Sequence, residues 1–155
     1  MLSGIAGTLG KSAAEVDEFM ADIWAVYLGT LNTEPAHYFE TLHGRYLTGI
    51  VSKSFVGARE REQDLYRFHE MTDVIVYSHE CGLSKPDPRI YLLACDKLGV
   101  RPEELIFLDD VDWAVDAARE LGIHSVHFQN TAQAISEIGA LIMRFGGATR
   151  RRQGP

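Results

Sequence analysis

The feature that most constrains the fold is an alternation of short apolar runs with amphipathic helical patterns after residue 46. A chain that returns to a parallel neighbouring strand needs such a helical crossover. The alternation therefore predicts an α/β fold with helices on the faces of a parallel sheet, and ligands bind such sheets beyond the carboxyl ends of the strands. The predicted strands are Leu47–Val51, Val74–Tyr77, Leu105–Leu108 and His124–Phe128, and the predicted helices are Ala58–Tyr66, Pro88–Leu98, Val111–Leu121 and a last helix from Thr131.

Two further helices are predicted near the start of the chain. Ser12 and Glu15 have the spacing of a capping box, and apolar residues follow them at a 3.6-residue period through residue 28. A shorter helix is predicted from Glu34 to Leu42, and Gly44 would end it.

Composition excludes several classes of protein. A net charge of −7 over 155 residues and a pI near 5.3 argue against broad binding to nucleic acid or to an anionic membrane. Cys81 and Cys95 have neither metal-ligand spacing nor the number needed for a disulfide framework. No apolar run approaches the roughly 20 residues that span a bilayer. We therefore expect a reduced, cytoplasmic protein.

Five polar residues lie where the predicted strands end, which makes them candidate site residues. Taken singly, each has an ordinary explanation, since a serine there caps a helix, a lysine is solvated and paired acids offset a helix dipole. Together they bring a hydroxyl, a cation and carboxylates to one edge of the sheet. They are Ser52, Ser54, Lys85, Asp109 and Asp110.

The sequence resembles the haloacid dehalogenase superfamily over about two thirds of its length, from residue 47 to residue 138. GIVSKS resembles the second motif of that family, SKPDPRIY the third, and FLDD followed by AARELGI the fourth. The Asp-Asp form resembles the phosphatase domain of soluble epoxide hydrolases. The resemblance implies a Rossmannoid three-layer fold, divided into a partial helical cap segment (1–45), an α/β core (46–145) and a flexible basic tail (146–155).

The resemblance also implies roles for the candidate residues. Ser52 would hydrogen-bond a phosphate oxygen and Lys85 would offset its charge. Asp109 and Asp110 would help to hold Mg²⁺, with Asp110 as the preferred ligand and Asp109 orienting Lys85. These roles agree with the chemistry of the side chains, since a hard cation binds carboxylate oxygens, and a phosphoryl group is stabilised by a hydroxyl donor and a cation. The implied ligand is a small phosphorylated or anionic molecule.

The nucleophile motif of that family, an aspartate in the pattern DxDxT/V, is absent from this sequence. The nearest match is GIAGTL, in which Gly4 and Ala6 replace both aspartates, and the same stretch also fits the middle of the helical cap. Lys53 and Ala114 stand where the family commonly has asparagine. Covalent catalysis starts from that nucleophile, so we expect an inactive or impaired relative of a magnesium-dependent phosphatase.

The missing motif has a structural consequence, because the strand that carries it lies at the centre of the sheet in that family, between the second-motif and fourth-motif strands. Unpaired strand edges are costly and recruit other strands. Either the N-terminal segment fills the position, or the sheet closes by direct pairing, or a second copy or a separate partner supplies the strand.

The sequence is also compatible with two other functions. One is a non-enzymatic binding or assembly module that uses the anion site or the open sheet edge. The other is an enzyme in which Asp109 or Asp110 acts as a general base on water. The histidines have no metal spacing, and His79 with Glu80 is expected in a loop beside the site.

Overall fold

The computed structural model describes residues 12–145. They divide between two compact units, with the boundary between Leu31 and Asn32. The first unit contributes helix α1 (Ala13–Leu28). The predicted capping box is confirmed: the Glu15 amide donates to Ser12 Oγ at 3.3 Å, and the Ser12 amide donates to Glu15 Oε2 at 2.9 Å. Such reciprocal bonds satisfy amides that have no partner within the helix. The GIAGTL segment and the basic tail lie outside the described residues.

The second unit contains every strand and helix predicted after residue 32, with ends shifted by no more than two residues. The unit begins at Asn32, and its first helix packs against its last. The predicted division at residues 45 and 46 stays a prediction. Two short 3₁₀ turns, Phe68–Glu70 and Pro102–Glu104, and a one-turn helix complete it. The elements are α2 (Thr33–His43), β1 (Gly49–Ser52), α3 (Ala58–Tyr66), β2 (Val74–Tyr77), α4 (Ser78–Cys81), α5 (Pro88–Leu98), β3 (Ile106–Asp109), α6 (Asp112–Glu120), β4 (His124–His127) and α7 (Thr131–Phe145).

Helix α5 shows how local sequence sets the ends of an element. Asp87 Oδ1 accepts a hydrogen bond from the Arg89 amide at 3.0 Å, and Pro88 occupies the first turn, where its lack of an N–H costs nothing. Gly99 ends the helix with a φ of 67°, a conformation that side chains disfavour. Among residues 12–145, no helix has the length and apolar character needed to cross a bilayer.

The strands form two separate parallel ladders. In one, β1 pairs with β2 in the register Gly49↔Val74, and in the other β3 pairs with β4 in the register Ile106↔His124. Direct pairing of the second-motif strand with the fourth-motif strand, one of the three predicted alternatives, is therefore wrong for the part of the chain that the structure describes.

Helix α5 joins the two ladders into one hydrophobic core. It packs against β1 and β2, and its buried Ile90 and Tyr91 belong to a cluster with Val76 of β2 and Ala118 of α6. The Tyr91 ring meets Phe107 of β3 edge-on, with ring centroids 5.3 Å apart. A single core beneath both ladders holds their carboxyl ends at a common edge.

Candidate active site

The centre of the candidate site is an ion pair between Lys85 and Asp109. Lys85 Nζ lies 2.5 Å from Asp109 Oδ2, and the two side chains are 15% and 6% exposed. Charge-assisted hydrogen bonds of this kind are short and strong, and they are screened less by salt when they are buried. The pair joins the loop after α4 to the end of β3, across 24 residues of sequence.

Both carboxylate oxygens of Asp109 are engaged. Oδ2 accepts from Lys85, and Oδ1 accepts from the Val111 amide at 3.0 Å, which fixes the turn into α6. Nearby, burial and then the negative charge of Asp109 raise the pKa of Tyr91 to about 12. The Tyr91 hydroxyl stays protonated and donates to the Ala114 carbonyl at 2.9 Å. Each Asp109 oxygen thus accepts one hydrogen bond, and the carboxylate is held between Lys85 and the Val111 amide.

Ser52 and Asp110 are two further predicted site residues at this edge, and Lys53 lies beside Ser52. The Asp110 side chain is exposed, while its backbone carbonyl lies 3.1 Å from His127 Nε2. Ser52 is the last residue of β1, half-buried, and stands opposite Tyr77 of β2. Lys53 follows it and is exposed. Asp110 thus contributes the open carboxylate of the site.

Ser54, the remaining predicted site residue, belongs to a small hydrogen-bond network. Its amide donates to Ser78 Oγ at 2.8 Å, and Ser78 Oγ donates to the Ser54 carbonyl at 3.1 Å. Ser54 Oγ also lies 2.9 Å from His79 Nδ1. These contacts tie the loop after β1 to the start of α4. Sequence reasoning missed Ser78, although its position directly after a predicted strand marked it as a residue of this edge.

Glu80 anchors the same region through Arg59 of α3. The Arg59 guanidinium donates to both Glu80 oxygens, at 2.6 and 2.7 Å, and this holds the pKa of the Glu80 carboxyl below its usual value. Arg59 also lies over the Tyr77 ring, 4.6 Å from its centroid. With His79 in the serine network and Glu80 in an ion pair, both residues have structural contacts.

The donor groups at this edge suit a weakly held hard cation. Mg²⁺ in proteins is commonly bound by one or two carboxylates, with water and phosphate oxygens as the other ligands. Asp110 supplies an exposed carboxylate, and Asp109 supplies one whose two oxygens already accept hydrogen bonds from Lys85 and from the Val111 amide. Within residues 12–145, no group of three or more acidic, histidine or cysteine side chains is placed to hold a metal. These residues therefore suit a cation whose other ligands are water and phosphate oxygens.

A groove of about 460 Å³ lies at the opposite end of the first ladder. There His43 Nδ1 is 2.7 Å from Thr48 Oγ1, just before β1, and the Thr48 amide donates to Asp73, just before β2. The groove is separate from the predicted chemistry, and we assign the site by its side chains. Its lining residues are Glu40, His43, Tyr66, Arg67, Glu70 and Met71.

Known proteins resemble this chain in sequence. The chain is 36% identical over 89 residues to a phosphorylated carbohydrates phosphatase of Thermotoga maritima, a match that covers 55% of this chain and 40% of that protein. It is 36% identical over 97 residues to bifunctional epoxide hydrolase 2 of Mus musculus, covering 60% of this chain and 18% of that protein. The matches thus span less than half the length of either relative.

The fold also matches solved structures. A haloacid dehalogenase-family enzyme of Bacteroides thetaiotaomicron, crystallised with magnesium and inorganic phosphate, superposes with a TM-score of 0.67 at 22% identity, over 81% of this chain and 66% of that one. The family model for haloacid dehalogenase-like hydrolases matches residues 5–122. This chain therefore belongs to the haloacid dehalogenase-like hydrolase family.

Proposed function

We propose that the carboxyl edge of the two ladders binds a small phosphorylated molecule together with Mg²⁺, and that this chain by itself lacks the covalent step of a phosphatase. The observation that carries the proposal is the buried Lys85–Asp109 ion pair, with Ser52 and Asp110 at the ends of β1 and β3. Support comes from relatives named as phosphatases and from a fold relative crystallised with magnesium and phosphate.

The balance of charge makes the metal necessary for binding. Lys85 is already neutralised by Asp109, and Asp110 adds an uncompensated negative charge beside the pair. Lys53 is exposed, where solvent and salt screen its charge. A phosphate dianion therefore meets a site with no net positive charge, so we expect it to bind only when a divalent cation accompanies it.

Each residue has a defined part in this binding. Asp110 would hold the cation, which when bound would offset the negative charge of the phosphate oxygens. Lys85 has three N–H donors and gives one to Asp109, which leaves two for an anion. The Ser52 hydroxyl would donate to a phosphate oxygen. Asp109 positions Lys85 without touching the ligand.

We expect the chemistry to stop at binding, because the two carboxylates at this edge among residues 12–145 would serve Lys85 and the cation. A covalent mechanism needs one carboxylate as nucleophile in addition to those that hold the metal. Asp109 is paired with Lys85, and Asp110 would be occupied by Mg²⁺. The sequence has no DxDxT/V pattern from which another could come. We further propose a cytosolic setting, since Cys81 and Cys95 are free thiols.

Calorimetric titration with inorganic phosphate tests the proposal. We expect saturable binding in the presence of Mg²⁺ and none in the presence of a chelator. Asp110→Asn should weaken the Mg²⁺-dependent binding by about 10- to 100-fold, because it removes the charged oxygen that holds the cation.

Asp116→Asn is the matched control, since Asp116 is a 68% exposed acid on the neighbouring helix α6. It makes the same change of charge and should bind phosphate like the unaltered chain. Binding of equal strength with and without Mg²⁺, or an Asp110→Asn variant that binds as well as the control, would contradict the proposal.

A further inference from the structure

His127 lies at the carboxyl end of β4, beside the residue that carries the exposed carboxylate of the site. It stands opposite Asp109 in the β3–β4 ladder, and its ring nitrogen Nε2 lies 3.1 Å from the backbone carbonyl of Asp110. We propose that this hydrogen bond makes His127 a positioning residue, which fixes the turn after β3 so that the Asp110 carboxylate faces the cation. The inference rests on the proposed function, because it concerns the same cation site.

The acceptor of this bond fixes the state of the imidazole ring. A carbonyl oxygen accepts and cannot donate, so the bond to Asp110 requires a hydrogen on Nε2 of His127. His127 is half-buried, and its own backbone carbonyl accepts from Gln133 Nε2 of helix α7 at 3.0 Å. Two hydrogen bonds therefore connect helix α7, through His127, to the peptide group that follows Asp110.

The direction of the Asp110 side chain depends on the two peptide groups that flank its α-carbon. The peptide before it is held because the Asp109 carbonyl accepts from the Phe128 amide at 2.8 Å. In the peptide after it, the Val111 amide donates to Asp109 Oδ1 at 3.0 Å. The Asp110 carbonyl, in that same peptide, accepts from His127. Planar peptide groups leave only φ and ψ to vary at a residue, so fixing both groups fixes the direction of the Cα–Cβ bond.

The exposure of Asp110 makes this backbone restraint important. An exposed carboxylate is not restrained by packing and samples several rotamers, so the backbone sets the region that it can reach. A ligand group that is already in place binds a cation more tightly than one that must first be ordered, since ordering a residue costs conformational entropy. The donor on His127 therefore contributes to cation affinity without touching the cation.

A bond that only fastened the turn would have a different effect. Loss of one hydrogen bond near the surface lowers the free energy of unfolding only slightly, and it leaves ligand binding unchanged when the turn plays no part in the site. A positioning role instead predicts that loss of the His127 donor weakens cation-dependent binding and that another donor at the same place restores it.

Two substitutions separate the hydrogen bond from the imidazole ring. His127→Gln keeps an N–H donor at the same number of bonds from the backbone, whereas His127→Leu keeps a side chain of similar size and loses the donor. In calorimetric titration with inorganic phosphate and Mg²⁺, we expect His127→Leu to bind about 10-fold more weakly. The His127→Gln variant should bind like the unaltered chain. The control is His124→Leu, at the opposite end of β4, where His124 stacks on Phe145; it should leave binding unchanged.

Amide hydrogen exchange of the ligand-free chain provides a readout that does not depend on phosphate. We expect the Val111 amide to exchange about 3- to 10-fold faster in His127→Leu, because the turn after β3 opens more often. The same amide should exchange at the unaltered rate in His127→Gln and in His124→Leu.

Three results would overturn the inference: equal phosphate binding by His127→Leu and the unaltered chain, equal weakening in His127→Leu and His127→Gln, or an unchanged exchange rate of the Val111 amide in His127→Leu. Failure of the proposed function has a separate signature. If the unaltered chain bound no phosphate while the Val111 amide exchanged faster in His127→Leu alone, the phosphate site would be wrong and the control of the turn by His127 would stand.

Discussion

Replacing Asp109 with alanine should lower the free energy of unfolding by about 3 kcal/mol, because it leaves the charge of Lys85 largely buried without a partner. The change also removes the acceptor of the Val111 amide. Urea denaturation monitored by circular dichroism measures the loss. The double variant Lys85→Met/Asp109→Leu should recover much of the stability, because the cost comes from an unpaired charge and not from the loss of the pair as such.

Asp110→Ala is the control for this experiment, since it removes a carboxylate from the adjacent but exposed residue. We expect it to change the free energy of unfolding by no more than about 0.5 kcal/mol. Equal losses for Asp109→Ala and Asp110→Ala would contradict the assignment of Asp109 as the buried partner of Lys85.

Ile90→Ala should produce a second large loss of stability, about 3 kcal/mol. Ile90 is fully buried in the cluster that joins both ladders through helix α5, so its truncation leaves a cavity in the shared core. Thermal unfolding should show a melting temperature lower by roughly 10 °C for a chain of this size.

Leu92→Ala, two residues further along the same helix, is the matched control. Leu92 is 44% exposed, so the same kind of truncation should cost about 1 kcal/mol or less. Equal losses of stability in the two variants would contradict the conclusion that the buried face of helix α5 joins the two ladders in one core.

The elements that sequence reasoning located best are those with local signals. Helix α5 begins after Asp87 and Pro88 and ends before Gly99, and each of these residues acts within one turn of its own position. Strand ends were less exact, and β1 begins at Gly49 where Leu47 was predicted. Apolar character marks a strand, but its ends depend on where the partner strand stops pairing.

The site shows a similar division between local and distant contacts. The family resemblance implied that Asp109 orients Lys85, and the structure brings their charged atoms together. The second bond of Asp109, to the Val111 amide, follows from the turn into α6 and is not visible in the spacing of motifs. Ser78 was missed because a serine at the start of a short helix has no pattern of its own until its partner, Ser54, is located.

We propose that this chain keeps the scaffold of a phosphatase site and lacks the covalent step. The most direct test is turnover of an aryl phosphate with Mg²⁺ by the chain alone, by its Asp110→Ala variant, and by a fusion that adds a strand with the DxDxT/V pattern at the N-terminus. We predict no turnover above buffer for the chain and the variant, and turnover for the fusion. Mg²⁺-dependent turnover by the chain alone, abolished by Asp110→Ala, would contradict the claim and would make Asp110 part of a working catalytic site.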